Sequence, residues 1–297
     1  MLQLNSAIVL LGKISGGDPE FSSLIKTWSI VCSAVIILCF VVSEITRNYS
    51  QVDKLWSLIP IAYAWITVAA VPSTRLIIMA SLVTIWGLRL SYNFYRKGGY
   101  SIIPWKGEED YRWKVMRDTT ALKGRFRFGL FNLLFISFYQ NILILLFSTP
   151  LLLAAMNPEK QLTVIDLVAG FMMLGFIIIE GIADTQLFRF HQEKKAGVNG
   201  KSHFKESLKK GFFTEGLWRY SRHPNFVCEQ GVWIAFYFFG VAASGQWVNF
   251  ALAGPVLLVL LFIGSSRLTE NISSGKYPEY TVYKKSVPKF LPRIFRF

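Results

Sequence analysis

Residues able to bind or polarise a ligand crowd one stretch, Gly216-Leu-Trp-Arg-Tyr-Ser-Arg-His-Pro-Asn-Phe226, with Glu229 just beyond it. Pro224 suits the first position of a helix, because its missing N–H would have no partner there and its φ is already helical. His223 then falls at the N-cap, with Arg222 and Arg219 just outside. The free N–H groups and positive dipole end of such a helix, beside arginine donors, make a site for phosphate or carboxylate. A positive anchor for a membrane helix would account for the arginines, but not for His-Pro-Asn followed one turn later by an acid.

A second set consists of ionisable groups in oily surroundings: Asp53, Arg89, Glu180, Asp184, Glu229 and Glu270. Such a group inside a membrane span costs several kcal/mol unless it faces the bundle interior, water or a partner. Glu180 and Asp184 are four apart and share a helix face, as do Asn225 and Glu229. Helix ends snorkelling to the interface would explain any one of them. Their recurrence at one depth on several helices favours a shared polar cavity open to the cytosol. Tyr277, Tyr280 and Tyr283 recur every three residues in the tail, as an interfacial aromatic belt or as hydroxyls closing over a nucleotide. His191 and His203 read as solvated, and Cys32, Cys39 and Cys228 as small buried hydrophobes. No residues have metal-ligand spacing, and there is no P-loop, dinucleotide fingerprint or nucleophile elbow.

These groups need elements to hold them, and composition says which kind. The 297 residues are 53% hydrophobic, 15% aromatic and only 17% charged, with formal charge +14 and mean hydropathy +0.39. A soluble fold, a disordered chain and a disulfide scaffold are excluded, and the basic charge is interleaved with apolar runs rather than spread over a nucleic-acid-binding surface. The N-terminus has no signal-peptide pattern and is interrupted at Gly16-Gly17-Asp18-Pro19. Runs of span length fall at roughly 24–43, 55–71, 75–95, 129–154, 163–183, 225–243 and 247–265. The expected fold is therefore all-α, a polytopic membrane bundle of about seven transmembrane helices.

Lysine and arginine cluster in 96–127, 189–222 and 267–297, while 154–162 and 243–247 hold only Lys160. The positive-inside rule places the three basic segments and the C-terminus in the cytosol and, with seven spans, the N-terminus across the membrane. No repeat or linker breaks the chain, which reads as an N-terminal segment with a first span at 1–50 and one membrane domain at 51–297.

As a set, Glu180-x-x-x-Asp184-x-Gln186 and Gly216-Leu-Trp-Arg-Tyr-Ser-Arg-His-Pro-Asn-Phe226-x-x-Glu229 closely resemble the steroid 5-alpha-reductase-like membrane proteins, especially the branch described as DUF1295. Val52-Asp53-Lys-Leu-Trp56, Trp86-Gly-Leu-Arg89-Leu, Glu109-Asp-Tyr-Arg112-Trp and the tail near Pro288 fit the same branch. The resemblance runs over about 50–297. Phe226 stands where the family has Tyr, and Val227-Cys228 where it has aromatic-Gly.

The resemblance implies a cytosolic NADPH site and reduction of a carbon–carbon double bond conjugated to a carbonyl, in a lipid-like substrate taken from the bilayer. Carried over, Arg222, His223 and Asn225 would meet pyrophosphate and ribose, with Arg219 beside them. Glu180, Asp184, Gln186, Glu229 and Glu270 would complete the cofactor site, and Tyr277 and Tyr280 would close it. Asp53 and Tyr92 are the nearest equivalents of the acid and tyrosine that polarise the enone oxygen. Trp56, Trp86, Phe138 and Tyr139 would give oily walls. The compartment implied in a eukaryotic cell is the endoplasmic reticulum. Two alternatives stay open: a methyltransferase of the isoprenylcysteine or phospholipid type using S-adenosylmethionine, which shares Arg-His-Pro, and a non-catalytic lipid-binding protein.

Overall fold

The structure, a computed structural model, describes residues 12, 18–101, 103, 107–197 and 202–291. Gly16-Gly17, Lys106, Lys201, Arg293 and Arg296 lie outside the described residues. The described residues are 76% helix, with no strand among them. In chain order the helices are α1 (Pro19–Thr46), α2 (Gln51–Leu55), α3 (Ile59–Ala70), α4 (Thr74–Arg96), α5 (Tyr111–Arg117), α6 (Arg125–Ala155), α7 (Val164–Ala196), α8 (Lys205–Lys210), α9 (Pro224–Ser244), α10 (Ala253–Lys276) and α11 (Tyr280–Ser286). Six of them are long and apolar enough to cross a bilayer, and the protein is an integral multi-pass membrane protein.

The remaining expected span, 55–71, is shortened to the 12 residues of α3. Prolines bound it: Pro60 lies in its first turn, and Pro72 keeps the preceding residue out of the helical region. Twelve residues rise only about 18 Å, against a hydrocarbon core of about 30 Å. Two other helices outrun expectation. The 33 residues of α7 carry Glu180, Asp184 and Gln186 in the helix interior rather than at its end, and α10 carries Glu270 past the expected boundary at 265.

Local chemistry sets the boundaries. Asp18 Oδ1 accepts from Phe21 N at 3.0 Å and Pro19 follows, which starts α1. Ser73 Oγ caps α4 through Leu76 N. In α6, Asn132–Tyr139 winds as a π-helix, a widening often found at functional positions. There Ser137 Oγ donates to Asn132 Oδ1 at 3.3 Å, five residues back.

The chain divides into two compact units, and it crosses between them inside α7, α9 and α10. The first holds the described residues up to Met173 and Trp233–Leu258. Its core stacks Trp28 on Tyr63 at 4.4 Å, and Trp233 meets Trp86 at 4.8 Å and Phe147 at 4.0 Å. The second holds Leu174–Val232 and the described residues from Val259 onward. Its core sets are Phe190, Phe213 and Trp218, and Phe212 with Tyr280, Tyr283 and Val287.

Candidate functional site

Every residue expected at the cofactor site falls in the second unit. On α7, Glu180 and Asp184 are each 3% exposed, and on α9 Glu229 is 5% exposed. Asn225, in the first turn of α9, donates through Nδ2 to Asp184 Oδ1 at 3.4 Å. Gln186 Oε1 accepts from Leu217 N at 3.0 Å and so fixes the 3-10 turn Gly216–Arg219. Gly216 sits at φ +57°, a backbone conformation that favours glycine, and a Cβ there would lie 2.5 Å from Gln186 Oε1 and push that side chain aside. Arg219 is exposed at the end of this turn.

Arg222 and His223 are buried and converge on Glu270. Arg222 Nε donates to Glu270 Oε1 at 2.7 Å and His223 Nε2 lies 3.1 Å from the same oxygen. Arg222 Nη1 also donates to the Lys284 carbonyl at 2.7 Å and to that of Val287, while Arg222 N takes the Pro288 carbonyl at 2.9 Å. Burial holds the His223 imidazole below its ordinary value of 6.5, only partly offset by Glu270. His223 is therefore neutral at physiological pH. The donors that sequence assigned to a ligand phosphate are directed in this structure at Glu270 and at the chain's own tail.

The tail tyrosines turn inward. Tyr277, Tyr280 and Tyr283 lie 5.7, 5.0 and 5.7 Å from the Phe212 ring, and the Tyr283 hydroxyl donates to the Trp218 carbonyl at 2.5 Å. Burial also pushes the Tyr283 hydroxyl above its usual range. Lys194 Nζ donates to the Tyr277 hydroxyl at 2.8 Å; burial raises the Tyr277 pKa, but this lysine outweighs it and leaves it below normal. These rings thus pack the tail against the loop before α9, which an interfacial belt would not require.

Asp53 and Tyr92 belong to the first unit. Trp113 Nε1 donates to Asp53 Oδ2 at 2.8 Å. The segment after α4 is held to residues 48–50, just before α2, through Asn48 Nδ2 to the Gly107 carbonyl at 2.9 Å, Tyr49 N to Glu109 Oε1 at 3.0 Å and Asp110 N to Ser50 Oγ at 2.9 Å. Burial, and then Asp110 nearby, hold the Asp53 carboxyl above the carboxylate range. Burial also raises that of Asp110, but Arg112 beside it wins and leaves it low. Tyr92 is 63% exposed on the outer face of α4, with the Arg96 guanidinium 5.7 Å from its ring centroid. Of the expected oily walls, Trp86 is fully buried and Phe138 is half exposed.

Sequence reading missed the partners of these groups. Trp113 lies 60 residues from Asp53, and Lys284 and Lys289 reach Glu270 from the tail. Only the basic, aromatic character of those segments hinted at them.

Residues 39–287 match the family described as Protein of unknown function (DUF1295). An uncharacterized protein of Schizosaccharomyces pombe is 34% identical over 303 residues, covering 98% of this chain and 86% of the yeast protein. No solved structure matches the chain. The match over most of its length, with a relative alike nearly end to end, makes this chain a member of the DUF1295 family.

Proposed function

We propose that the protein is a membrane-embedded, NADPH-dependent reductase of a carbon–carbon double bond conjugated to a carbonyl in a lipid-like substrate. The likeness of its motif set to the steroid 5-alpha-reductase-like proteins supports this, and one observation carries it. Asn225 Oδ1 is buried and accepts no hydrogen bond among the described residues, although its own Nδ2 meets Asp184. Buried polar atoms are almost always paired, so an orphaned acceptor at the amino end of a helix fits a ligand hydroxyl or amide N–H.

The residues present fit a dinucleotide. Asn225, Asp184 and Glu229 would accept from its ribose hydroxyls and carboxamide, and Glu180 would extend that acidic set. The exposed Arg219 and the amino end of α9 suit its phosphates, with Tyr277 at the rim, while Tyr280 is committed to the Phe212 core. Gln186 would act through the turn it holds. Bound NADPH would supply a hydride to the β-carbon of the enone. Negative charge then develops on the carbonyl oxygen, and a neutral acid aimed there stabilises it. Within the first unit, taken by itself, burial favours the protonated form of Asp53 and Trp113 fixes its carboxyl, the surroundings a neutral acid needs. Tyr92, on an outer face, serves less well.

Calorimetric titration of the purified protein with NADPH and with S-adenosylmethionine tests the reading. Heat from NADPH is expected, and a response to the methyl donor alone would replace the reductase by a methyltransferase. Assays of NADPH oxidation against lipid enones follow, with Asp53→Asn and Tyr92→Phe alongside. Loss in Asp53→Asn with retention in Tyr92→Phe is the expected pattern, and full activity in both removes the pair as acids.

A further inference from the structure

Four donor groups surround the single carboxylate of Glu270, and they do not match it. Its Oε1 takes both short contacts, Arg222 Nε at 2.7 Å and His223 Nε2 at 3.1 Å. Its Oε2 faces Lys284 and Lys289 Nζ, both at 3.8 Å, beyond hydrogen-bond reach. An Arg–carboxylate pair at its best is a two-pronged fork, and here only one prong is used. Three cations against one carboxylate leave an excess of positive charge in a place where Glu270 is 4% exposed and Arg222 9%. A phosphate ester, with more terminal oxygens and more charge, would meet all four donors. Entry has an evident side, because Lys284 and Lys289 keep 33% and 26% of their surface exposed.

We propose that Arg222, His223, Lys284 and Lys289 form an anion seat that Glu270 occupies in the free protein and leaves to a phosphate ester. Glu270 is then a built-in competitor rather than a structural keystone. The tail does not depend on it alone, since main-chain carbonyls of Lys284, Val287 and Pro288 bond Arg222 directly and Ser221 Oγ donates to the Lys289 carbonyl at 3.2 Å. The proposal deepens the reading above, which makes a dinucleotide one source of the phosphate; a phosphate-bearing lipid headgroup is the other.

The sign of one substitution separates the two roles. Calorimetric titration of the full chain in detergent is carried out with inorganic pyrophosphate, NADPH and short-chain phosphatidic acid, on the parent, Glu270→Gln and the double variant Lys284→Ala/Lys289→Ala. Removing a competing carboxylate is expected to tighten pyrophosphate binding about tenfold, and removing both lysines to weaken it about tenfold. Weaker or unchanged binding in Glu270→Gln overturns the proposal, and so does unchanged binding in the lysine variant. Should Glu270→Gln lose its monodisperse elution, the lysine variant alone decides. Pyrophosphate and phosphatidic acid obeying this pattern while NADPH does not bind keeps the seat, assigns it to lipid and removes the dinucleotide reading. NADPH binding at parent strength in both variants keeps that reading and removes the seat.

Discussion

Arg75 is 2% exposed and has all its nitrogens matched: Nε to Asp166 Oδ1 at 2.7 Å, Nη1 to the Lys160 carbonyl at 2.9 Å, and Nη2 to the Gln161 carbonyl at 2.7 Å and Asp166 Oδ2 at 3.0 Å. Removing one partner of such a pair strands a buried charge, so Arg75→Ala should cost about 3–5 kcal/mol, read as a fall in thermal midpoint in detergent. A fall no larger than that of surface substitutions would refute this. His223 gives a pH dependence. Its folded value lies below 6.5, so the unfolded chain binds the extra proton first. Stability is complete above 6.5 and declines as pH falls toward the folded value. Limited proteolysis of the tail across pH 7.5 to 5, roughly the range of an ordinary imidazole's titration, should quicken on acidification, and His223→Gln should flatten the profile.

At the scale of elements, two glycines mark where backbone must come close or turn against its preference. Gly254, in the first turn of α10, faces the Phe147 backbone of α6, where an added Cβ would lie 2.4 Å from Cα and 2.5 Å from N. Neither helix axis can shift cheaply at such a crossing, and Gly254→Ala should cost about 1–3 kcal/mol. Gly216→Ala meets a left-handed φ, costing about 1–2 kcal/mol, and also displaces Gln186 from the turn it holds. Gly216→Ala should therefore weaken nucleotide binding as well as lower the thermal midpoint, whereas Gly254→Ala should lower the midpoint alone. The opposite pattern would detach the Gly216 turn from the site.

For the molecule as a whole, if α6, α7, α9 and α10 each cross once, the three basic segments fall on one membrane face whatever α3 does, because the pairs α6–α7 and α9–α10 separate them. What α3 decides is the side of the N-terminus. If its 12 residues complete a crossing together with α2, the N-terminus lies opposite the basic segments. We expect a glycosylation tag at the N-terminus to be modified in microsomes and a tag in 96–127 to be spared, with the C-terminus cytosolic. Neither tag modified would mean that α3 does not cross. Modification of the 96–127 tag would overturn the assignment of the basic face to the cytosol.

Residue types along the chain were enough to establish a helical membrane protein, most of its spans and its family, because apolar runs of bilayer length and short motifs are local properties that survive without a fold. The short α3 is not among those spans: 55–71 reads as a full crossing, and Pro60 and Pro72 confine the helix to 12 residues. Helix periodicity puts Glu180 with Asp184, and Asn225 with Glu229, on shared faces, but it does not say that Glu180, Asp184 and Glu229 are buried. Nor were the partners legible. That Arg222 and His223 would face Glu270, with the tail lysines closing from the other side, depends on side chains 47 and 48 residues apart and more. Trp113 reaching Asp53 is of the same kind. Which donor meets which acceptor is set by how helices pack and where the tail returns, and only the tertiary structure carries that information. A hydrogen bond forms only within about 3.5 Å, and sequence spacing does not say which groups far apart in the chain are brought that close.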